Sequence, residues 1–139
     1  MMPALTPFRA FSKDMLYYQG DHPEEIFFIT QGKVKLKYDI TEGMATSPKY
    51  QIPINMYVQG SYFGDIEIMS KFDKTGRDST AEVELESHFL FISKKQLSKS
   101  LKLFPNIRRE MAYVASERKI RHEENIDMVR KKLADKKRE

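Results

Sequence analysis

The sequence predicts a mainly β protein of the α+β class, an antiparallel barrel or sandwich followed by two C-terminal α-helices. Short alternating runs separated by turn residues fill about the first ninety positions, which is typical of many short strands. After Ile92 the hydrophobic period changes from two to that of a helix. At 139 residues and without cysteine, the chain is long enough for one domain with one core and no disulfide.

The strands follow from alternation and from the turn residues that end each run. In one run Val34, Leu36 and Tyr38 share one face and the lysines between them share the other. Segment 41–48 is rich in Thr, Gly, Ser and Pro and is predicted to be a hairpin connection. The predicted strands cover residues 15–18, 25–30, 33–38, 52–58, 81–86 and 88–92.

Two helices are expected after the last strand. Ser93 and Gln96 form a capping-box pattern, which predicts a helix from Lys94 to about Leu103. Pro105 suits the first turn of a second helix. One face of that helix changes from apolar to polar along its length, through Ile107, Met111, Val114, Arg118, Arg121, His122 and Asn125. Either the helix leaves the domain and enters water, or its second half lies over a polar ligand.

The net charge of +4 is concentrated late, in segments 130–132 and 136–138. A solvated helix end is the simplest interpretation of these lysines and arginines, and we expect no nucleic-acid partner. No run reaches the ~18 apolar residues of a membrane span, and the first eleven residues lack the pattern of a signal peptide. We therefore expect the chain as given to be soluble.

Segment 62–83, YFGDIEIMSKFDKTGRDSTAEV, carries the strongest chemical signal. Gly64 permits backbone conformations closed to other residues, and Ile66 and Met69 fit one short helical turn. Exposed amides at such a turn form an anion-binding concavity, and Arg77 supplies the counter-charge. Asp65 is placed to accept from a sugar hydroxyl. These residues together predict a pocket for a ribose that carries a phosphate.

The same segment resembles the phosphate-binding cassette of the cyclic nucleotide-binding domain, in which Phe-Gly-Glu precedes an apolar turn, a loop and Arg-x-Ala-Thr or Ser. Here the cassette reads Phe63-Gly64-Asp65-Ile66 and then Arg77-Asp78-Ser79-Thr80. GDHPEEIFFITQGKVKL (20–36) resembles the early strands of that family. FPNIRREMAYVASER (104–118) resembles the last helix of its channel branch, so the likeness covers nearly the whole chain.

The resemblance implies a β-roll, or jelly-roll barrel, over about 12–92, with the cassette at 62–80 and the C-terminal helices at about 93–135 of a single domain, 1–139. It implies that Arg77 pairs with the cyclic phosphate, that Asp65 meets the ribose and that Arg118 closes over the base. The ligand would be cAMP or cGMP, with no other cofactor and no metal. The implied ligand-binding residues are Phe63, Gly64, Asp65, Ile66, Arg77, Asp78, Ser79, Thr80, Arg118 and Arg121.

Three acidic residues depart from the family pattern. Asp65 is one methylene shorter than the usual glutamate, Glu67 replaces a small apolar residue and Asp78 replaces alanine or threonine. A carboxylate about 5 Å from the phosphate would cost about 3 kcal/mol at an effective dielectric constant near 20. Alternation continued backward from the next strand places Asp78 with Glu82, on the face opposite Arg77.

The expected function is that of a cytoplasmic regulatory domain of a membrane protein, which binds a cyclic nucleotide and gates an attached ion channel or transporter through its last helix. The alternative is a structural or homo-oligomeric module of a channel with a degenerate or self-occupied pocket. Catalysis is not expected, because His22, His88 and His122 are isolated and no nucleophile pattern is present. A bacterial regulator would need a further DNA-binding module, and kinase regulatory subunits usually carry two barrels.

Overall fold

The computed structural model describes residues 5–40, 50–69 and 76–138. Its strands are β1 (Thr6–Ala10), β2 (Met15–Tyr17), β3 (Glu25–Ile40), β4 (Tyr50–Val58), β5 (Tyr62–Phe63) and β6 (Thr80–Ser93). Its helices are α1 (Ile66–Met69), α2 (Lys94–Lys102) and α3 (Pro105–Arg138). The predicted antiparallel β-roll followed by two C-terminal helices is confirmed, and α1 is the short helical turn that was predicted at Ile66 and Met69.

The two long strands β3 and β6 pair with each other and organise the sheet. The strand order is β1-β6-β3-β4, with β2 paired to β6 and β5 paired to β3. Each long strand covers two of the predicted ones, because the pairing of β3 with β6 continues through several register shifts. Strand β1 was not predicted from the sequence.

Gly32 explains why β3 was predicted as two strands. Its φ of +121° is unfavourable for other residues, and an added Cβ would lie 2.0 Å from Oγ of Ser87. The backbone amide of Lys33 donates to the same oxygen at 3.0 Å. The turn-like Gln-Gly signal therefore marks a bulge within one strand. The predicted connection at 41–48 lies outside the described residues, although β3 and β4 do pair as antiparallel neighbours.

Aromatic rings fill the roll and fix the strand that carries the cassette. Phe63 is fully buried, and its ring stacks on Phe27 at 5.3 Å and on Tyr57 at 5.6 Å between centroids. Burial of one such ring stabilises the fold by about 1.5 to 3 kcal/mol. A second cluster of Ile26, Ile92, Leu97 and Leu101 joins α2 to the sheet. The start of the cassette is thus held by the core.

The helices begin where the sequence predicts. Ser93 caps α2 by accepting a hydrogen bond from the amide of Gln96 at 3.2 Å, and α3 begins at Pro105. The face of α3 that meets the roll carries Ala115, His122 and Ile126, all buried. The predicted apolar face is therefore displaced, since Val114 remains 37% exposed. No described helix has a stretch both long and apolar enough to span a bilayer.

Candidate functional site

The cassette begins with a backbone turn that only glycine tolerates well. Gly64 has a φ of +86°, and a Cβ at this position would lie 2.9 Å from the carbonyl oxygen of Glu25 and 3.0 Å from Nη1 of Arg77. The turn leads into α1, in which the amide of Met69 donates to the carbonyl of Asp65 at 2.8 Å. The missing side chain therefore makes room for the guanidinium.

Arg77 points inward and is almost completely buried, at 2% exposure. Nη1 donates to the carbonyl of Gly64 at 2.7 Å, and Nη2 donates to the carbonyl of Glu25 at 2.6 Å. The guanidinium carbon also lies 4.1 Å from the ring centroid of Tyr17. Nε is buried and has no hydrogen-bond partner among the described residues. The cation is thus fixed in place, and its Nε donor is still unused.

The backbone of Arg77 is held by the turn that follows β2. Its amide donates to the carbonyl of Asp21, and its carbonyl accepts from the amide of Gly20, both at 2.7 Å. Next to it, a Cβ on Gly76 would lie 2.2 Å from the carbonyl oxygen of Gly20. Two backbones therefore meet at close range, and this contact sets the direction in which Arg77 enters the roll.

Glu67 occupies the space beside Arg77. Its Oε2 accepts from Nη1 of Arg77 at 3.1 Å, and its Oε1 accepts from the backbone amide of Asp78 at 3.3 Å. Both members of the ion pair are buried, with side-chain exposures of 1% and 4%. Burial and the nearby Asp78 carboxylate raise the pKa of Glu67 to about 7, although Arg77 acts to lower it. A carboxylate of the protein itself therefore neutralises the cassette arginine.

Helix α3 contributes a second cation, Arg118. Its Nη1 lies 2.8 Å from Oδ1 of the buried Asp65, and its Nη2 donates to the carbonyl of Tyr62 at 2.8 Å. The guanidinium also stacks over the ring of Tyr62 at 4.2 Å. Burial raises the pKa of Asp65, and the charge of Arg118 only partly offsets that effect. The helix is thus tied to Asp65, the residue that is predicted to meet the ribose.

The third ion pair joins His122 of α3 to Asp78, with Nε2 and Oδ1 3.0 Å apart. Burial would lower the pKa of His122, but the contact with Asp78 outweighs it and raises the pKa above its ordinary value. Burial would likewise raise the pKa of Asp78, yet His122 holds it below its usual value. The expectation that Asp78 shares a solvent face with Glu82 is wrong, because its carboxylate turns toward α3.

An open cleft lies beside these ion pairs, between α3 and the turn that joins β4 to β5. Its volume is about 640 Å³. The walls combine three aromatic rings with two guanidinium groups and include Tyr57, Tyr62, Tyr113, Arg118 and Arg121. Aromatic faces together with cations suit a planar, electron-rich group.

The structure brings most of the predicted site residues together around α1. Phe63 and Ile66 lie in the core beneath it, and Ser79 is buried and donates to Asp78 at 3.2 Å. The hydroxyl oxygen of Thr80 accepts from the amide of Gln19 at 2.9 Å, so it holds the neighbouring turn. Arg121 is exposed at the rim of the cleft, away from the cassette. Contact of these ten residues with a nucleotide stays a prediction.

Sequence reasoning missed the partners of the acidic residues. Glu67 stood out only as a departure, Tyr57 was not predicted as part of the site, and His122 was placed on the polar face of the last helix without being counted as a ligand-binding residue. One available signal was the spacing of His122, four residues after Arg118 and hence on the same helix face. Within the described ranges, no group of three His, Cys, Asp or Glu side chains is arranged to hold a metal ion.

Comparisons with known proteins agree with this geometry. The family profile described as cyclic nucleotide-binding domain matches residues 9–102, about two thirds of the chain. A search of curated proteins finds no match.

Several solved structures share the fold. The regulatory domain of Toxoplasma gondii PKA with cAMP is 16% identical with a TM-score of 0.63, over 82% of this chain and 40% of that one. The cAMP-bound EAL enzyme Bd1971 is 15% identical with a TM-score of 0.63, over 93% and 31%. The regulator CLP of Xanthomonas campestris is 14% identical with a TM-score of 0.69, over 94% and 59%. The chain thus spans less than two thirds of each of these proteins. With its β-roll, cassette and family match, this chain belongs to the cyclic nucleotide-binding domain family.

Proposed function

We propose that this regulatory domain binds a cyclic nucleotide whose cyclic phosphate replaces the Glu67 carboxylate on Arg77. The observation that carries the proposal is the buried guanidinium of Arg77, which faces the Gly64 turn and retains an unpaired Nε donor among the described residues. A cyclic phosphodiester has one negative charge, as does an ionised carboxylate. The exchange therefore keeps the buried cation neutralised and adds an acceptor for Nε.

The ligand would act on α3 through Asp65 and Asp78. Both carboxylates are held by side chains of α3, Arg118 at 2.8 Å and His122 at 3.0 Å. A ribose hydroxyl that donates to Asp65 competes with Arg118 for the same oxygens. The free energy of nucleotide binding therefore depends on the position of α3. A ligand shifts a conformational equilibrium only when it binds the two conformations with different free energies.

The purine base would enter the cleft that Tyr57 and Tyr62 line, where Arg118 is released to stack on it. The named ligands of similar structures support both candidates, since Bd1971 has been solved in cAMP-bound and in cGMP-bound form. We propose cAMP or cGMP as the ligand class without a preference between the two bases.

For the attached effector we propose an ion channel or transporter, of which this chain is a cytoplasmic, non-enzymatic part. The support is the sequence of 104–118, with Phe-Pro, a basic pair and Val-Ala-x-x-Arg. The similar structures come from kinase regulatory subunits, EAL enzymes and a transcriptional regulator, so they do not select a channel. Movement of α3 would transmit nucleotide binding to the effector.

A second candidate is a module whose pocket is permanently occupied by its own side chains. The observation that favours it is the complete pairing of the three departing acids, Glu67 with Arg77, Asp65 with Arg118 and Asp78 with His122. In this alternative α3 stays docked, and the domain serves assembly of a larger protein.

Isothermal titration with cAMP and cGMP distinguishes the two candidates. We expect Arg77→Ala to lose most of the nucleotide affinity and Glu67→Gln to gain about tenfold or more, because a competing carboxylate near the phosphate costs about 3 kcal/mol. Glu82→Gln makes the same chemical change on the sheet surface and should leave the affinity unchanged. If neither the unmodified domain nor Glu67→Gln binds either nucleotide, the self-occupied module is the correct function.

A further inference from the structure

Another surface of the molecule, formed by α2 and the start of α3, combines cations with exposed apolar side chains. Residues 94–109, which span α2 and the first turn of α3, contain six Lys or Arg and no Asp or Glu. They are Lys94, Lys95, Lys99, Lys102, Arg108 and Arg109. None of the six forms an ion pair with an acidic residue in the described part of the chain. We call this segment the basic turn.

The apolar residues of the basic turn lie at its centre. Leu103 is 65% exposed, Phe104 49% and Ile107 48%. Pro105 holds the preceding residue out of helical conformation, so α2 ends and α3 begins at this point. The amides of Leu103 and Phe104 donate back to the carbonyls of Ser100 and Leu101, both at 3.2 Å, which closes the turn. Three large apolar side chains therefore face solvent on a backbone that is already folded.

Cations flank these apolar residues on both sides. Lys99 and Lys102 precede them on α2, and Arg108 and Arg109 follow them on α3. The one described hydrogen bond from these four side chains joins Arg109 to Asn106. Apolar side chains that enter the acyl boundary, surrounded by cations at headgroup level, are the usual design of an interfacial membrane contact.

We propose that the basic turn binds the surface of a membrane that contains anionic phospholipids. The apolar residues protrude at a turn between two helices, and the cations around them lack acidic partners in the described part of the chain, which suits a planar and uniformly negative surface. A protein partner would instead be expected in the adjoining groove, of about 300 Å³, between α1, α2 and α3. Binding of such a partner is the alternative outcome of a vesicle-binding experiment.

The test is sedimentation of the whole chain with phosphatidylcholine vesicles, with and without about one-third phosphatidylserine. We expect binding only to the mixed vesicles, falling steeply as salt is added. Lys99→Gln with Lys102→Gln should weaken the partition about twentyfold, since each cation near such a surface contributes about fivefold. Phe104→Ser should weaken it about tenfold through loss of the buried ring.

Lys131→Gln with Lys132→Gln is the matched control. It removes the same charge about 40 Å away along α3 and should change the partition less than about twofold. Far-UV circular dichroism of every variant establishes that the fold is retained. The proposal is wrong if the chain does not sediment with mixed vesicles, or if the control loses as much as the α2 pair. It is also wrong if an acidic helical peptide binds the chain at one-to-one stoichiometry and vesicles do not.

Discussion

The ion pairs on the outer sheet surface and those beneath α3 use the same residue types in opposite surroundings. On the surface, Lys37 meets Glu82 at 2.8 Å across β3 and β6, and Lys35 pairs with Glu84. Beneath α3 the pairs are Arg77 with Glu67, Arg118 with Asp65 and His122 with Asp78. The first group lies on the polar face of the sheet, where β3 and β6 pair. In the second, the side chains of Arg77, Glu67, Asp65 and His122 are each less than 5% exposed, against 14% to 29% in the first group.

The two groups differ in the cost of losing one partner. Water and salt screen a surface charge, so a missing partner changes little. A buried charge without a partner must remain unsolvated or change its protonation state, which is costly in either case. Loss of one partner should therefore cost little in the surface pairs and much in the buried pairs, two of which join the cassette to α3.

Arg77→Ala should cause the largest loss of stability, about 3 to 5 kcal/mol at pH 8, because it leaves the buried Glu67 carboxylate uncompensated. Urea denaturation followed by circular dichroism measures the free energy of unfolding. The loss should shrink toward pH 6, where Glu67 can take up a proton instead.

Arg77→Ala combined with Glu67→Gln is the control for this interpretation. Removing both charges should recover part of the lost stability, since no buried charge is left alone. If the double variant is as unstable as Arg77→Ala, the hydrogen bonds from Arg77 to Gly64 and Glu25 dominate, and the ion pair does not govern the loss.

Stability should rise as the pH falls from 8 to 5. The pKa of Glu67 is raised to about 7 in the folded state, so the folded domain binds its proton more tightly than the unfolded chain does. The resulting stabilisation is complete below the ordinary pKa near 4.5 and is lost as the pH rises through about 7. Its size is about 3 kcal/mol. The raised pKa of His122 acts in the same direction, whereas the lowered pKa of Asp78 removes stability only at still lower pH.

Glu67→Gln isolates this effect. The variant should flatten the dependence of the unfolding free energy on pH between 5 and 8, leaving the contributions of the other groups whose pKa is raised, such as His122 and Asp65. The same protonation should help the ligand, because a neutral Glu67 no longer competes for Arg77. A variant whose pH profile matches that of the unmodified domain would assign the dependence to other groups.

The sequence predicted the parts of this comparison that depend on local pattern. Alternating residues identified the wet faces on which Lys37 and Glu82 meet, and Ser93 and Pro105 marked the helix starts. The glycine and arginine of the cassette were also predicted, because Gly64 has a backbone conformation that few other residues adopt. Each of these features depends on residues close together in the sequence, or on a residue type such as glycine whose backbone conformations few other residues adopt.

The buried pairing could not be predicted in the same way. Glu67, Asp78 and His122 come together only because α3 crosses the roll in one rotational setting, with Ala115 buried. The predicted apolar face of α3 is rotated by about one residue from the face that is buried in the structure. This rotation is enough to change which side chains enter the site. A helix that is apolar for half its length gives too little pattern to fix that rotation.

The pair between Arg118 and Asp65 should have a coupling energy of about 1 to 2 kcal/mol. The measurement is a double-mutant cycle with Asp65→Asn and Arg118→Gln, in the absence of nucleotide. Arg118→Gln alone should also increase hydrogen exchange in the second half of α3, because the helix loses its contact with Tyr62 as well. Coupling near zero would show that α3 docks through Ala115 and Ile126 without help from the charge.

The smallest effect is expected for the surface pair of Lys37 and Glu82. Lys37→Gln should change the free energy of unfolding by less than about 1 kcal/mol, since ion pairs on a sheet surface lose most of their attraction to solvent screening and side-chain entropy. The side chains are 19% and 14% exposed, the lowest values among the surface pairs described. This pair is therefore the most demanding test of the comparison. Denaturation of Glu82→Gln should give a similarly small difference, and both differences should shrink further in high salt. A loss of unfolding free energy as large as that of Arg77→Ala would show that burial beneath α3 does not explain the larger effect expected for the buried pairs.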